Sequence, residues 1–138
     1  MTTTLALCVS ALFVGNADDP RFSPDDEGLI PIERNIVTLT NAERARHGLP
    51  PLEVCPNLLN SARDHAAWMT RRQSLQHTRQ AVAENIAMGQ TNSREAMQSW
   101  MSSPGHRANI LNRSYRRIGV AAYRTAAGTI FWCQQFLH

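Results

Sequence analysis

Apolar side chains recur at helical spacing in three stretches of the chain and alternate at strand spacing in one. Ile32, Ile36 and Leu39 predict a first helix that ends near His47-Gly48, where glycine suits a left-handed cap and Pro50-Pro51 prevents continuation. Leu52-Glu53-Val54 reads as a short extended link. Pro56 suits the first turn of a second helix, with Leu58, Ala62, Ala66 and Met69 on one face and Arg63, Arg71 and Arg72 on the other. From Gln73 to Gln90 no helical period is visible, so a loop leading into a short strand over 85–88 is expected. Asn92 with Glu95 three residues on resembles a capping box, and opens a third helix buried through Ala96, Met97, Trp100 and Met101. Ser103-Pro104 has the chemistry of a cap and first residue for a further short helix through Leu111. The chain closes with a hairpin: strands over 117–123 and 129–136, a turn over 125–128, and alternating β-branched and aromatic residues. Helices around a small antiparallel sheet make the expected class α+β.

The N-terminal stretch changes the reading of compartment. Residues 1–17 are apolar from Leu5 to Val14 and end in Gly15-Asn16-Ala17, as a secretory signal does, although no basic residue precedes the apolar run. The run is shorter than the roughly 20 residues a membrane helix requires. Residues 18–30 are acidic and proline-containing, and read as a linker or arm before a domain over 31–138. The expected location is therefore secreted or periplasmic. Loss of the signal would remove Cys8 and leave Cys55 and Cys133, an even pair expected to form a disulfide between the loop before the second helix and the last strand. Such a bridge would close a long loop and stabilise by on the order of 4 kcal/mol. Two buried free thiols are the alternative.

Charge adds a second feature. All 14 basic residues are arginine, against 11 acidic ones, and no Asp or Glu follows Glu95. Arg107, Arg113, Arg116, Arg117 and Arg124 make the C-terminal third basic, which suits an anionic cell-envelope surface as partner, or simply a solvated face. Nucleic acid is not expected, because the excess is small and no recognition motif occurs. A monomer is expected.

The candidate chemistry lies in His77, Glu84 and His106. Imidazole and carboxylate are the groups that hold a divalent cation or move a proton near neutral pH. They sit in separate segments, so only folding can unite them. Each also has a purely structural reading. Buried histidines can stitch loops to a sheet, and Glu84 can accept backbone N–H groups. His65 reads as a packing residue, Trp68, Trp100 and Trp132 as core, and Asn85 as a turn-satisfying amide.

The phrases Leu39-Thr40-Asn41-Ala42-Glu43-Arg44, Gly48-Leu49-Pro50-Pro51-Leu52, Ser61 to Ala66, His77-Thr78, Glu84-Asn85-Ile86-Ala87, Trp100 to Leu111 and Ile118-Gly119-Val120-Ala121 occur in an order that resembles the CAP superfamily. This is the family of cysteine-rich secretory proteins, antigen 5 and pathogenesis-related 1; the match is strongest to its short bacterial extracellular members. The resemblance implies an α-β-α sandwich with a central cleft, and a cleft tetrad of two His and two Glu able to take zinc or another divalent ion. His77, Glu84 and His106 match three of the four positions. The second glutamate would follow the third-helix tryptophan, where this chain has Met101-Ser102-Ser103; Glu95 lies before Trp100 and is expected at the helix start, outside the cleft.

Two functions follow as expectations. The first is a secreted, non-catalytic domain whose His/Glu cleft binds a lipid, a glycan or, weakly, a divalent metal held by His77 and His106 with Glu84. The alternative is a metal-assisted hydrolase of an envelope polymer or peptide, with a metal-bound water as nucleophile and Glu84 as base.

Overall fold

A computed structural model describes residues 28–138; the signal-like segment 1–17, most of the acidic arm and Cys8 lie outside the described residues. The elements run α1 (Pro31–Arg46), β1 (Glu53–Val54), α2 (Pro56–Arg72), β2 (Ala83–Met88), α3 (Ser93–Met101), α4 (Pro104–Ile110), β3 (Arg117–Arg124) and β4 (Ile130–Leu137). The strands form one sheet in the order β1-β3-β4-β2. β3 and β4 are antiparallel, as are β2 and β4, while β1 joins the edge in parallel. The expected antiparallel sheet is therefore mixed at one edge, because the link at 52–54 is extended enough to pair with Arg117 and Ile118.

Strand alternation sorts side chains to two faces. One face carries Ile118, Val120, Ile130, Trp132 and Phe136 and packs against Ile36 of α1, Met97 and Trp100 of α3 and Ile110 of α4. The other carries Ile86, Ala121, Phe131 and Cys133 and packs against Ala62, Ala66 and Met69 of α2. Gly119 lies where α2 meets β3: a Cβ there would stand 2.2 Å from the Leu58 carbonyl oxygen. Only glycine permits that approach. α2 thus forms one outer layer and α1, α3 and α4 the other.

α1 buries more polar chemistry than its apolar period suggests. Its inward residues are Glu33, Ile36, Thr40 and Arg44. Glu33 forms a two-oxygen ion pair with Arg63 of α2 at 2.8 and 2.6 Å, which draws Arg63 off the solvated side expected for it. Arg44 is fully buried and donates to the carbonyls of Pro50, Ile110 and Asn112 at 2.9 Å and of Tyr115 at 3.4 Å. Burial, and then the charge of Arg116, holds its pKa below the ordinary arginine value. This one side chain ties the end of α1 to the end of α4.

At the start of α3 the Asn92 side chain accepts from the Glu95 N–H at 3.0 Å, as a cap should. The Glu95 carboxylate reaches one residue further back than a capping box, to the Thr91 N–H and hydroxyl at 2.9 and 3.0 Å. These bonds hold Glu95 below the usual carboxylate range. It is exposed at the helix start.

Cys133 is a free, buried thiol, so the expected Cys55–Cys133 bridge is not formed. Sheet geometry gives the reason. Cys55 follows β1 and donates its N–H to the Ile118 carbonyl, whereas Cys133 opposes Ala121 on the far side of β3. Two strand spacings and two residues along the strands separate their Cα atoms by about 12 Å, beyond the roughly 7 Å a disulfide spans.

Candidate functional site

β2 is the edge strand opposite β1, and its alternation sends neighbouring residues to opposite faces: Glu84 toward the α2 layer, Asn85 toward α4. The Glu84 side chain is 3% exposed. Its Oε1 accepts from His77 Nδ1 at 2.8 Å and from the Thr78 N–H at 2.9 Å. Its Oε2 accepts from Gln135 Nε2 at 2.9 Å and from the Cys133 thiol at 3.6 Å. Burial and then the Glu84 charge push the Cys133 thiol pKa well up, so it stays protonated as a donor. The carboxylate is thereby a hub whose two oxygens are both engaged within the protein.

His77 lies in the loop between α2 and β2. With Nδ1–H given to the carboxylate, Nε2 of a ring that is 61% exposed is left as an acceptor. Carboxylate–histidine pairs of this kind fix the tautomer and the ring orientation. His65 of α2, expected only to pack, also holds this loop. Its Nε2 bonds the Gln76 carbonyl at 2.6 Å and lies 3.9 Å from Glu84 Oε1, and its ring stacks on Trp68 at 5.8 Å. The Ser61 to Ala66 phrase carries a sequence signal for this role, but the period of α2 alone suggests a packing position.

His106 reaches the site from the other layer. A buried chain of amides and hydroxyls places it: Thr40 accepts from Gln134 at 2.7 Å, and Gln134 accepts from the Asn85 amide at 3.0 Å. The same Asn85 amide donates to the His106 carbonyl at 3.1 Å. Asn109, one turn along α4, donates to the Asn85 side-chain oxygen at 2.9 Å and to the Glu84 carbonyl at 3.3 Å. Asn85 therefore splices α4 onto the edge strand, a larger task than the turn expected of it. Above these bonds the half-buried His106 ring has its pKa lowered, first by burial and then by the charge of His77. Both effects favour the neutral form of His106.

Among the described residues, no three His, Cys, Asp or Glu side chains are grouped to hold a metal ion. Glu84 lies behind the exposed ring of His77, and His106 is half-buried on α4. The trace of β2 completes the edge: the Trp100 indole donates to the Ile86 carbonyl at 3.2 Å, beside the Asn109 bond to Glu84. A separate groove of about 310 Å³ lies between α1 and α3, lined by Leu39, Met97 and Met101 with Arg94 and the paired Glu43 and Arg46. No described helix is long and apolar enough to cross a membrane.

Comparison with known proteins agrees with this architecture. Protein YkwD of Bacillus subtilis is 34% identical over 122 residues, covering 76% of this chain and 46% of YkwD. This chain therefore spans about half the length of that relative. An extracellular SCP-domain protein from Bacillus anthracis superposes with a TM-score of 0.69 at 27% identity, over 81% of this chain and 45% of that one. An outer surface protein of Borrelia burgdorferi gives 0.69 at 17% identity, over 78% and 94% of the two chains, a likeness of fold alone. The family model for the cysteine-rich secretory protein family, CAP, matches residues 37–136, and this chain belongs to that family.

Proposed function

We propose that this chain is an exported CAP domain that binds a small ligand at the His77–His106 notch and has no catalytic step of its own. The observation that carries this reading is the division of labour around Glu84. The carboxylate is taken up by four internal donors, while the His77 Nε2 it orients is left open on an exposed ring. Export is supported by the family description and by the extracellular assignment of the Bacillus anthracis relative.

A divalent cation fits this donor set only as a weak ligand. His77 Nε2 and His106 would hold it, with solvent completing the coordination, whereas tight sites use three or four protein ligands. Once bound, such an ion would act as a Lewis acid toward a ligand oxygen. The hydrolase alternative fares worse, because Glu84 is buried with both oxygens occupied and is not placed to take a proton from water. A glycan could use the same two imidazoles as hydrogen-bonding groups. A lipid is favoured instead by the α1–α3 groove, where Leu39, Met97 and Met101 offer an apolar floor and Arg94, with the Arg46–Glu43 ion pair, a charged rim.

Zinc titration by calorimetry at pH 7.5 and pH 5 tests the notch. Weak binding at pH 7.5 is expected, lost at pH 5 because protons compete for the same lone pairs, and lost in His77→Ala/His106→Ala. Binding that survives the double substitution would place the cation elsewhere and overturn the assignment.

A further inference from the structure

The end of α1, the exposed side of α4 and the loop 111–116 form one face rich in arginine and poor in counter-charge. Arg107 of α4 places its Nη2 3.1 Å from Nε2 of His47, the residue that caps α1. Arg116 donates to the carbonyls of Arg113 and Tyr115, so the loop folds back on itself with both guanidinium groups exposed. Beneath them lies Arg44, whose buried charge is met, among the described residues, by four carbonyl oxygens and is felt by Arg116. Glu43, near this end of α1, is held by Arg46 at 2.7 Å; neither α4 nor the loop contains an acid, and the exposed Glu53, whose N–H donates to the Arg116 carbonyl, borders the loop from β1. A buried cation with no carboxylate partner usually costs stability unless something outside balances the field.

We propose that this face docks an extended polymer of phosphodiester groups. Its cations are arginines, as everywhere in this chain, and their planar fork matches two phosphate oxygens where an ammonium offers only a point charge. Arg107 and Arg113 are six residues apart, on the order of 10 Å along the chain path, which suits successive groups of a linear polyanion more than one small anion. A bilayer is the poorer partner, because the exposed large apolar side chains, Ile30, Leu75, Met88 and Tyr123, lie on other segments. Nothing apolar is therefore presented for insertion beside these arginines.

The experiment titrates fluorescent poly(glycerol phosphate) into the protein at several NaCl concentrations, comparing wild type, Arg113→Ala/Arg116→Ala, Arg107→Ala and a control pair, Arg71→Ala/Arg72→Ala. The control removes the same charge as the first pair from the exposed end of α2. Loss of two phosphate contacts should lower the slope of log K against log salt by about two and weaken binding at least about tenfold at low salt. Arg107→Ala, which leaves the Arg44 loop untouched, should weaken binding about threefold or more with a slope loss of about one, and the control pair should change affinity less than about twofold. Equal losses in the control pair, or no binding by wild type at low salt, would overturn the proposal. So would phosphatidylglycerol vesicles that bind as tightly as the polymer and respond to the same substitutions, since the partner would then be a membrane.

Discussion

Replacing Glu84 by Gln removes the charge and turns one acceptor oxygen into a donor while leaving volume unchanged. Three strong donors point at this carboxylate: His77 Nδ1, the Thr78 N–H and Gln135 Nε2. Hydrogen bonds to a charged group contribute about 1.5–3 kcal/mol each and neutral ones about 1. If the new amide oxygen keeps His77 and Thr78, those two bonds weaken by about 1 kcal/mol apiece. The amide nitrogen then meets Gln135 Nε2, donor against donor. Gln135 has a repair, because its own Oε1 is buried without a partner, and turning its amide would present that oxygen to the introduced amide nitrogen. The turn orphans Gln135 Nε2 instead and costs about another 1 kcal/mol. Relief from burying a carboxylate offsets part of this, for a net loss of about 2–3 kcal/mol. For a domain of this size the thermal midpoint should fall by about 10 °C. Urea unfolding followed by fluorescence of the buried Trp100 and Trp132 measures the loss, with an unchanged m-value showing that the unfolded state is unaffected. A loss below about 0.5 kcal/mol would refute the view of Glu84 as a hub, because so small a figure belongs to an exposed carboxylate.

Arg44→Met should cost about 2–4 kcal/mol by abandoning buried carbonyls, and hydrogen exchange should rise first over 110–116; uniform exchange would contradict a tether role. Gly119→Ala places a methyl 2.2 Å from the Leu58 carbonyl and should destabilise by about 3 kcal/mol or more, read as a shifted urea midpoint; near-neutrality would mean that α2 can slide. Cys133 should resist iodoacetamide at pH 8 in the folded protein and react on unfolding, since its raised pKa keeps the thiolate scarce; alkylation at native rates would show an open site. Glu95→Gln should lower stability only slightly. Because the folded-state pKa of Glu95 is depressed, its contribution exists above the unfolded value near 4.5 and fades as pH falls through the folded value, so wild type and variant should converge in acid.

The apolar period predicts α2 almost residue for residue, because Leu58, Ala62, Ala66 and Met69 face the sheet with no polar competitor. The hairpin is equally plain from alternation, and each of its strands extends one residue past the expected end. α1 is less legible at the residue level. Its inward face carries Glu33, Thr40 and Arg44, which a hydropathy pattern assigns to solvent and which are buried only because distant carbonyls and Arg63 satisfy them. The same limit applies around the site. Family phrases pick out His77, Glu84 and His106, yet no local pattern can show that Glu84 turns toward Gln135 and Cys133, 51 and 49 residues away. The disulfide expectation fails for a related reason. Counting cysteines ignores that β3 stands between the two positions.

The indole of Trp100 and the amide of Asn109 border the site, and they also occupy the outward carbonyls of Ile86 and Glu84 on the last strand of the sheet. An unguarded strand of this kind recruits other chains by backbone pairing. The helices that carry His106 and its supports therefore serve as a clasp against self-association. Any substitution that loosens α3 and α4 from β2 would uncover a templating edge at the same moment as it displaces His106, and such variants should aggregate as the Asn85–Asn109 bond is lost.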